Sequence, residues 1–152
     1  QRSSIGHYEL AEDEAMIVTV PECTDCAYQA IQIGSDWYAS TDYETHQTSL
    51  TKAQAHTDPD GMMRFVVSER SPAGPDGAIA NWLETLGHRT GAMMLRWQRL
   101  ERDLGPEDGP TIEICPLAEV RDRLPHFTPL TTEEYAARIA ARQRSVARRM
   151  IS

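Results

Sequence analysis

The sequence predicts a mainly β domain, an antiparallel jelly-roll-like sandwich or barrel with one short and one long α-helix at its C-terminal end. Three features carry that expectation. Apolar and polar side chains alternate with period two through much of residues 1–115, the pattern of strands with one face on a core. Clusters of Gly, Pro and Asp interrupt those runs at short intervals. Beyond Cys115 the spacing of apolar residues lengthens to the helical repeat. Residues 1–130 are therefore expected to form the β-sandwich domain, with a short helix near 116–124. Residues 131–152 are expected to form an amphipathic helix packed on that domain or on a partner.

Each element has a local reason. Ala15–Val20 is rich in β-branched residues and stops at Pro21. In Ala27–Ile33, Ala27, Gln29, Ile31 and Ile33 share one face, while Tyr28, Ala30 and Gln32 share the other. Trp37–Gln47 has no clear period and reads as a long ordered loop or a short edge strand. Ser49–Thr57 and Met62–Glu69 flank Asp58-Pro59-Asp60-Gly61, where proline fixes one backbone angle and glycine supplies positive φ, so the pair reads as a hairpin. Ser71–Ala78 holds two prolines and two glycines and reads as an exposed loop. Gly91–Leu100 and Thr111–Cys115 complete the strands, about seven in all. Pro116–Leu124 reads as a short helix with proline at its first position. Thr131-x-x-Glu134 is a capping box that opens a helix to about Met150. On it Ala136, Ile139, Ala140, Val146, Ala147 and Met150 form one apolar stripe, with Arg138, Arg142, Arg148 and Arg149 off it.

The chain of 152 residues is long enough for one domain with a substantial core, and its composition, 40% hydrophobic and 25% charged, is that of a soluble globular protein. The net charge is −8, and from Thr131 onward five arginines face two glutamates, so the body carries −11. An acidic body repels phosphate backbones, which argues against nucleic-acid binding. No apolar run is long enough to cross a bilayer as a helix. The chain opens on Gln1, as a processed or truncated product would, and the cytoplasm is the favoured compartment. Cys23 and Cys26 read as turn thiols able to form a local disulfide, with Cys115 apart from them. His46 and His56 could join His88 around a metal, but no ligand-like spacing links them, so no metal and no cofactor is expected.

Two regions hold candidate site residues. Leu50, Lys52, Gln54, His56 and Asp58 would share one face of a strand, and Ala92, Met94, Arg96, Gln98 and Leu100 one face of another. These polar faces could point to water or line the mouth of a barrel and grip a polar ligand. The segment Asn81–His88 combines an indole, an amide, a hydroxyl and an imidazole beside a glycine, the parts of a binding site. Alternatively Trp82 and Leu83 plug the core.

Asp36-Trp37, Asp42-Tyr43, Ser49-Leu50-Thr51, Gln54-Ala55, Asp58-x-Asp60-Gly61, Asn81-Trp82-Leu83-x-Thr85, Gly87-His88, Gly91 and Arg96-Trp97 occur in this order. The set resembles the bacterial domain of unknown function 1214 family over roughly Tyr28–Trp97. Lys52 stands where that family commonly has Asn, and Ser71–Ala80 is longer than its usual link. The resemblance implies a β-rich, jelly-roll-like domain that follows another domain in a longer chain. It implies no activity.

Three functions remain open. In the first, the domain binds a small polar or amphipathic molecule, a carbohydrate among the possibilities. Trp37, Tyr43, Trp82 and Trp97 would offer stacking surfaces, while Gln54, Asn81, Thr85 and Arg96 would offer hydrogen bonds. In the second, it is a hydrolase or isomerase with His88 as acid or base, Asp58 or Asp60 as its carboxylate partner, and Arg96 stabilising an anion. In the third, it packs through its C-terminal helix on an upstream domain or a partner chain, a second copy included.

Overall fold

In the computed structural model, which describes residues 1–150, the strands are β1 (Arg2–Glu9), β2 (Glu14–Pro21), β3 (Cys26–Gly34), β4 (Ser49–Thr51), β5 (Met62–Ser68), β6 (Gly77–Ile79), β7 (Trp82–Glu84), β8 (Thr90–Leu100), β9 (Thr111–Pro116) and β10 (Pro129–Thr131). The helices are α1 (Val120–Arg123) and α2 (Thr132–Met150). One sheet has the order β1-β8-β3-β4, a second the order β7-β5-β2-β9, and β10 pairs with β6 in a separate ribbon. Every pairing is antiparallel except β5 with β7. The protein is thus mainly β with a C-terminal helix.

The two four-stranded sheets bury a shared core. Ile31, Ile33, Leu95 and Trp97 from the first sheet meet Met16, Val18, Phe65 and Leu83 from the second. The alternation read in β3 explains one side of it from Tyr28 onward: Gln29, Ile31 and Ile33 are buried, while Tyr28, Ala30 and Gln32 lie on the outer face. Ala27, expected with the buried set, is exposed. β2 is apolar on both faces because its back is covered too. Ile17, Val66 and Trp82 pack there against Ile79 of the ribbon, Val120 of α1 and Leu124. A strand between two cores loses the polar half of its pattern.

Several expected elements are corrected. Ser49–Thr57 is not one strand. It leaves the sheet after Thr51, where the amides of Gln54 and Ala55 bond the Thr51 carbonyl and the Gln54 side chain accepts from the Thr51 amide. Lys52, Gln54, His56 and Asp58 therefore do not share a strand face. The expected hairpin across Asp58–Gly61 fails for the same reason, since β4 and β5 belong to different sheets. The turn itself is present, closed by the Gly61 amide on the Asp58 carbonyl with Gly61 at φ 82°. The expected loop Ser71–Ala78 ends inside β6, where Ala78 is buried. Pro116 closes β9 instead of opening a helix, and a 3₁₀ turn at Leu117–Glu119 precedes α1. β1 was without a sequence signal because most of its side chains are exposed.

The capping box is present. The Glu134 amide donates to Thr131 Oγ1 at 3.1 Å, and the Thr131 amide to Glu134 Oε2 at 2.7 Å. Facing the body from α2 are Tyr135, Arg138, Ile139, Arg142 and Val146, all half-buried. The expected apolar stripe is thus rotated. Arg138 and Arg142, expected to lie off it, point inward and bond backbone oxygens: Arg138 to Ala80, and Arg142 to Tyr43 and Ser49. β4 is the edge of its sheet, so Arg142 satisfies a carbonyl that has no further strand beside it.

Gly91 is required by close packing. A Cβ there would lie 2.5 Å from both the Gly34 carbonyl oxygen and the Tyr8 hydroxyl. One of the two is backbone in the neighbouring strand and cannot swing away. Gly91→Ala is expected to cost about 1–3 kcal/mol by overpacking, read as a lower denaturation midpoint.

Candidate functional site

The outer face of the first sheet is built by pairing. Register sets Ala30 between Arg96 of β8 and Thr51 of β4, and Gln32 between Met94 and Ser49. Strands lie about 4.8 Å apart, so the small Ala30 leaves a trough roughly two strand spacings wide between Arg96 and Thr51. α2 runs along its far side. The result is a groove of about 320 Å³ whose walls include Tyr28, Gln32, Tyr43, Gln54, Arg142 and Ser145. A second hollow of about 230 Å³ adjoins it through Gln32 and Ser40 and carries Tyr38, Met94 and Arg96.

The groove holds donors and acceptors with spare capacity. Gln32 Nε2 donates to Ser40 Oγ at 2.8 Å, which leaves its carbonyl free. Gln54 uses its carbonyl on Thr51, which leaves its amide. Among the described residues, the hydroxyls of Tyr28 and Tyr43 have no hydrogen-bond partner. Arg142 donates to the Tyr43 carbonyl at 3.1 Å, the Ser49 carbonyl at 2.8 Å and Ser49 Oγ at 2.9 Å. Its burial lowers its pKa, because a low-dielectric site disfavours the cation. Arg96 Nε is buried without a partner, and Nη2 meets only Met94 Sδ at 3.2 Å. Among the described residues no Asp, Glu or His lines either hollow.

Of the residues singled out from sequence, Tyr43, Gln54 and Arg96 gather on this face. Trp37 stands 90% exposed on the turn after β3 and does not line the groove. Trp97, expected as a stacking surface, is 3% exposed inside the core between the sheets. Asn81 is a structural clamp: its Oδ1 accepts from the His56 amide at 2.8 Å and its Nδ2 donates to the His56 carbonyl at 2.7 Å, as a strand partner would. Thr85 is buried at the end of β7, its amide bonded to the Ser68 carbonyl. Trp82 is buried, with its indole N–H on Ser68 Oγ at 3.0 Å and its ring 5.6 Å from that of Tyr135.

Trp82 and Tyr135 do border a larger groove of about 910 Å³, walled by Pro72, Pro75 and Leu117. Most of its polar side chains already have partners, although the Tyr135 hydroxyl is buried without one. Asp13 pairs with Arg70, Ser71 Oγ accepts from the Ala73 amide, and Thr132 donates to the Asp76 carbonyl. The Tyr135 hydroxyl is the polar group left there to orient a ligand, against the several that line the groove beside α2.

The expected acid–base set does not assemble. Asp58 and Asp60 bind Arg64, at 2.5 and 2.6 Å, and the Arg64 side chain holds the Asp60 carboxyl below its usual range. His88 is exposed in the turn after β7, and no hydrogen bond or ion pair joins it to either carboxylate among the described residues. Two other histidines do meet carboxylates. His56 lies 3.4 Å from Asp58, beside a hollow of about 20 Å³, room for one water. His46 lies between Asp42 at 3.3 Å and Glu84 at 3.9 Å. The Thr45 hydroxyl and amide draw the Asp42 carboxyl down to about 2, while burial pushes Glu84 up. None of these three lines the polar groove. Sequence spacing signals Asp42 and His46 as an i,i+4 pair, but nothing in it brings Glu84 to them. His88→Ala is expected to change stability by no more than about 0.5 kcal/mol, as for an exposed side chain, which thermal or denaturant unfolding checks.

The three cysteines are free and buried. Cys26 donates to the Cys23 carbonyl at 3.4 Å, and burial pushes its thiol up to about 11, away from nucleophilic use. Lys52 Nζ bonds the carbonyls of Cys23 and Cys26 and pins this turn. Among the described residues no group of three or more His, Cys, Asp or Glu could hold a metal, and no helix is long and apolar enough to cross a membrane.

No protein-family model and no curated protein matches the sequence. Among solved structures the chain is similar to an uncharacterised protein from Burkholderia cenocepacia, with 29% identity and a TM-score of 0.67, over 78% of this chain and 30% of that one. It is also similar to the VPA0106 protein from Vibrio parahaemolyticus, with 14% identity and a TM-score of 0.46, over 74% of this chain and 30% of that one. The chain thus spans less than a third of the length of either.

Proposed function

We propose that this is a binding domain for a small polar ligand, seated in the groove between α2 and the outer face of the first sheet. One observation carries the reading. Tyr28, Gln32, Tyr43, Gln54 and Arg142 converge on a hollow that, among the described residues, contains no side chain able to act as general acid or base at neutral pH. Such a lining can hold and orient hydroxyl groups, with tyrosine rings as stacking surfaces for a sugar-like ring. The hydrolase or isomerase reading would need His88 within reach of a carboxylate and a substrate-sized cavity. It gains no support from His88 in its exposed turn, nor from the one-water hollow beside His56.

The same reading includes two finer statements. The facing sheets form a jelly-roll-like sandwich, supported by their shared core. The chain is a member of the domain of unknown function 1214 family, supported by the ordered motifs from Asp36-Trp37 to Arg96-Trp97. A domain of that kind would present its groove beside the rest of a longer chain.

The test is a set of calorimetric titrations with neutral and acidic monosaccharides. Saturable binding of at least one is expected, weakened roughly tenfold by Tyr43→Ala and unaltered by His88→Ala. No binding by any of them, or binding indifferent to Tyr43→Ala, would overturn the assignment of the groove.

A further inference from the structure

We infer that this groove selects an anionic ligand, a small hydroxylated carboxylate of the sugar-acid type, with Arg142 and Arg96 supplying the opposing charge. The inference rests on the reading of the groove as a binding site and adds the charge of its occupant.

The protein is acidic, with a net charge of −8, and several of its arginines are neutralised by carboxylates. Arg64, Arg70, Arg89, Arg102 and Arg123 each lie within ion-pair distance of an aspartate or glutamate. Arg142 and Arg96 have no such partner among the described residues, which they share with Arg2, Arg99, Arg121 and Arg138; what sets the two apart is that they border the groove and its adjoining hollow. Arg142 spends its donors on two backbone carbonyls and a serine hydroxyl, all neutral. These two guanidinium groups border adjoining hollows whose lining, among the described residues, holds no acidic side chain, and Arg149 also borders the larger one.

The geometry of the donors also fits a carboxylate. Guanidinium presents paired N–H groups in a plane, which match two carboxylate oxygens. Arg96 has a buried Nε with no partner, so an incoming oxygen there would satisfy a donor that the protein leaves unmet. Gln32 and Ser40 sit where the two hollows meet, and Tyr28, Tyr43 and Gln54 line the larger one. Those groups suit hydroxyls on a ring whose acid group reaches an arginine. A purely apolar anion would leave them unused.

Glucuronate and glucose share the ring and differ in the carboxylate, so they separate the inference from the reading beneath it. In calorimetric titrations of the wild type, glucuronate is expected to bind at least roughly tenfold more tightly than glucose. That preference should shrink as salt is raised. Arg96→Gln, at a residue that bonds no backbone carbonyl, should reduce the preference to about threefold or less while the protein stays folded by circular dichroism. Arg142→Lys keeps the charge without the planar fork and should lose part of the preference. Equal affinities for the two sugars would overturn the anion inference and leave the groove as a binding site. Preference intact in both variants would overturn the assignment to these arginines. Failure of both sugars to bind would overturn the binding site and the inference together.

Discussion

Trp97→Ala is expected to destabilise the protein by about 3–5 kcal/mol, the cost of removing a large aromatic side chain from a packed core. Trp97 touches the core between the two sheets and is almost wholly inaccessible, so its ring is unavailable to stack on a ligand. The loss has two parts: the transfer energy of the ring, and the cavity left among side chains such as Leu95 and Ile31 that cannot collapse into it. Trp97→Phe should recover most of that loss, because it restores most of the volume. Urea denaturation checks both. A Trp97→Ala protein of nearly wild-type stability that fails only to bind would return Trp97 to the surface role that its sequence neighbourhood suggested.

Arg142→Ala comes second, at about 2–3 kcal/mol of stability, together with loss of the groove. The guanidinium donates to three oxygens on the segment that carries Tyr43 and Ser49, and charged hydrogen bonds are worth about 1.5–3 kcal/mol when shielded. Partial solvent access at α2 brings the total below a simple sum. The Ser49 carbonyl at the sheet edge would be left to water, and α2 would lose its main anchor beyond Arg138. Amide hydrogen exchange should then accelerate through the second half of α2, while β3 and β8 keep their protection. Unchanged exchange in α2 would mean that Arg138, Tyr135, Ile139 and Val146 hold the helix without Arg142.

How much of this was legible beforehand follows from where each signal resides. The β3 and β8 alternations, the capping box at Thr131 and the turn at Asp58–Gly61 are set by local chemistry, and each appears in the structure. The path after Thr51 was not legible, because a period of two continues through Gln54 and His56 although the chain turns there. The turn itself is made locally by Gln54 and Ala55 on Thr51, and a contact from Asn81, 25 residues from His56, fixes the path beyond it. The same long-range contact gives Asn81 its role, which residue type alone had suggested was ligand binding. Arg138 and Arg142 were misplaced for a related reason. Arginines on an amphipathic helix ordinarily face water, and here the carbonyls of Ala80, Tyr43 and Ser49, brought together only by the fold, draw them inward. Of the groove, Tyr43, Gln54 and Arg96 were visible as polar and aromatic side chains in suggestive positions. Their convergence depends on Ala30 being small between Arg96 and Thr51, which needs the strand register.

The most direct measurement is a two-dimensional ¹⁵N–¹H spectrum of the protein titrated with glucuronate. Saturating shifts at the amides of Ala30, Gln32, Ser40, Tyr43 and Gln54 and at the Arg96 Nε–H are the predicted result. Shifts confined to Trp82, Tyr135 and Leu117, or no shifts at all, would contradict it.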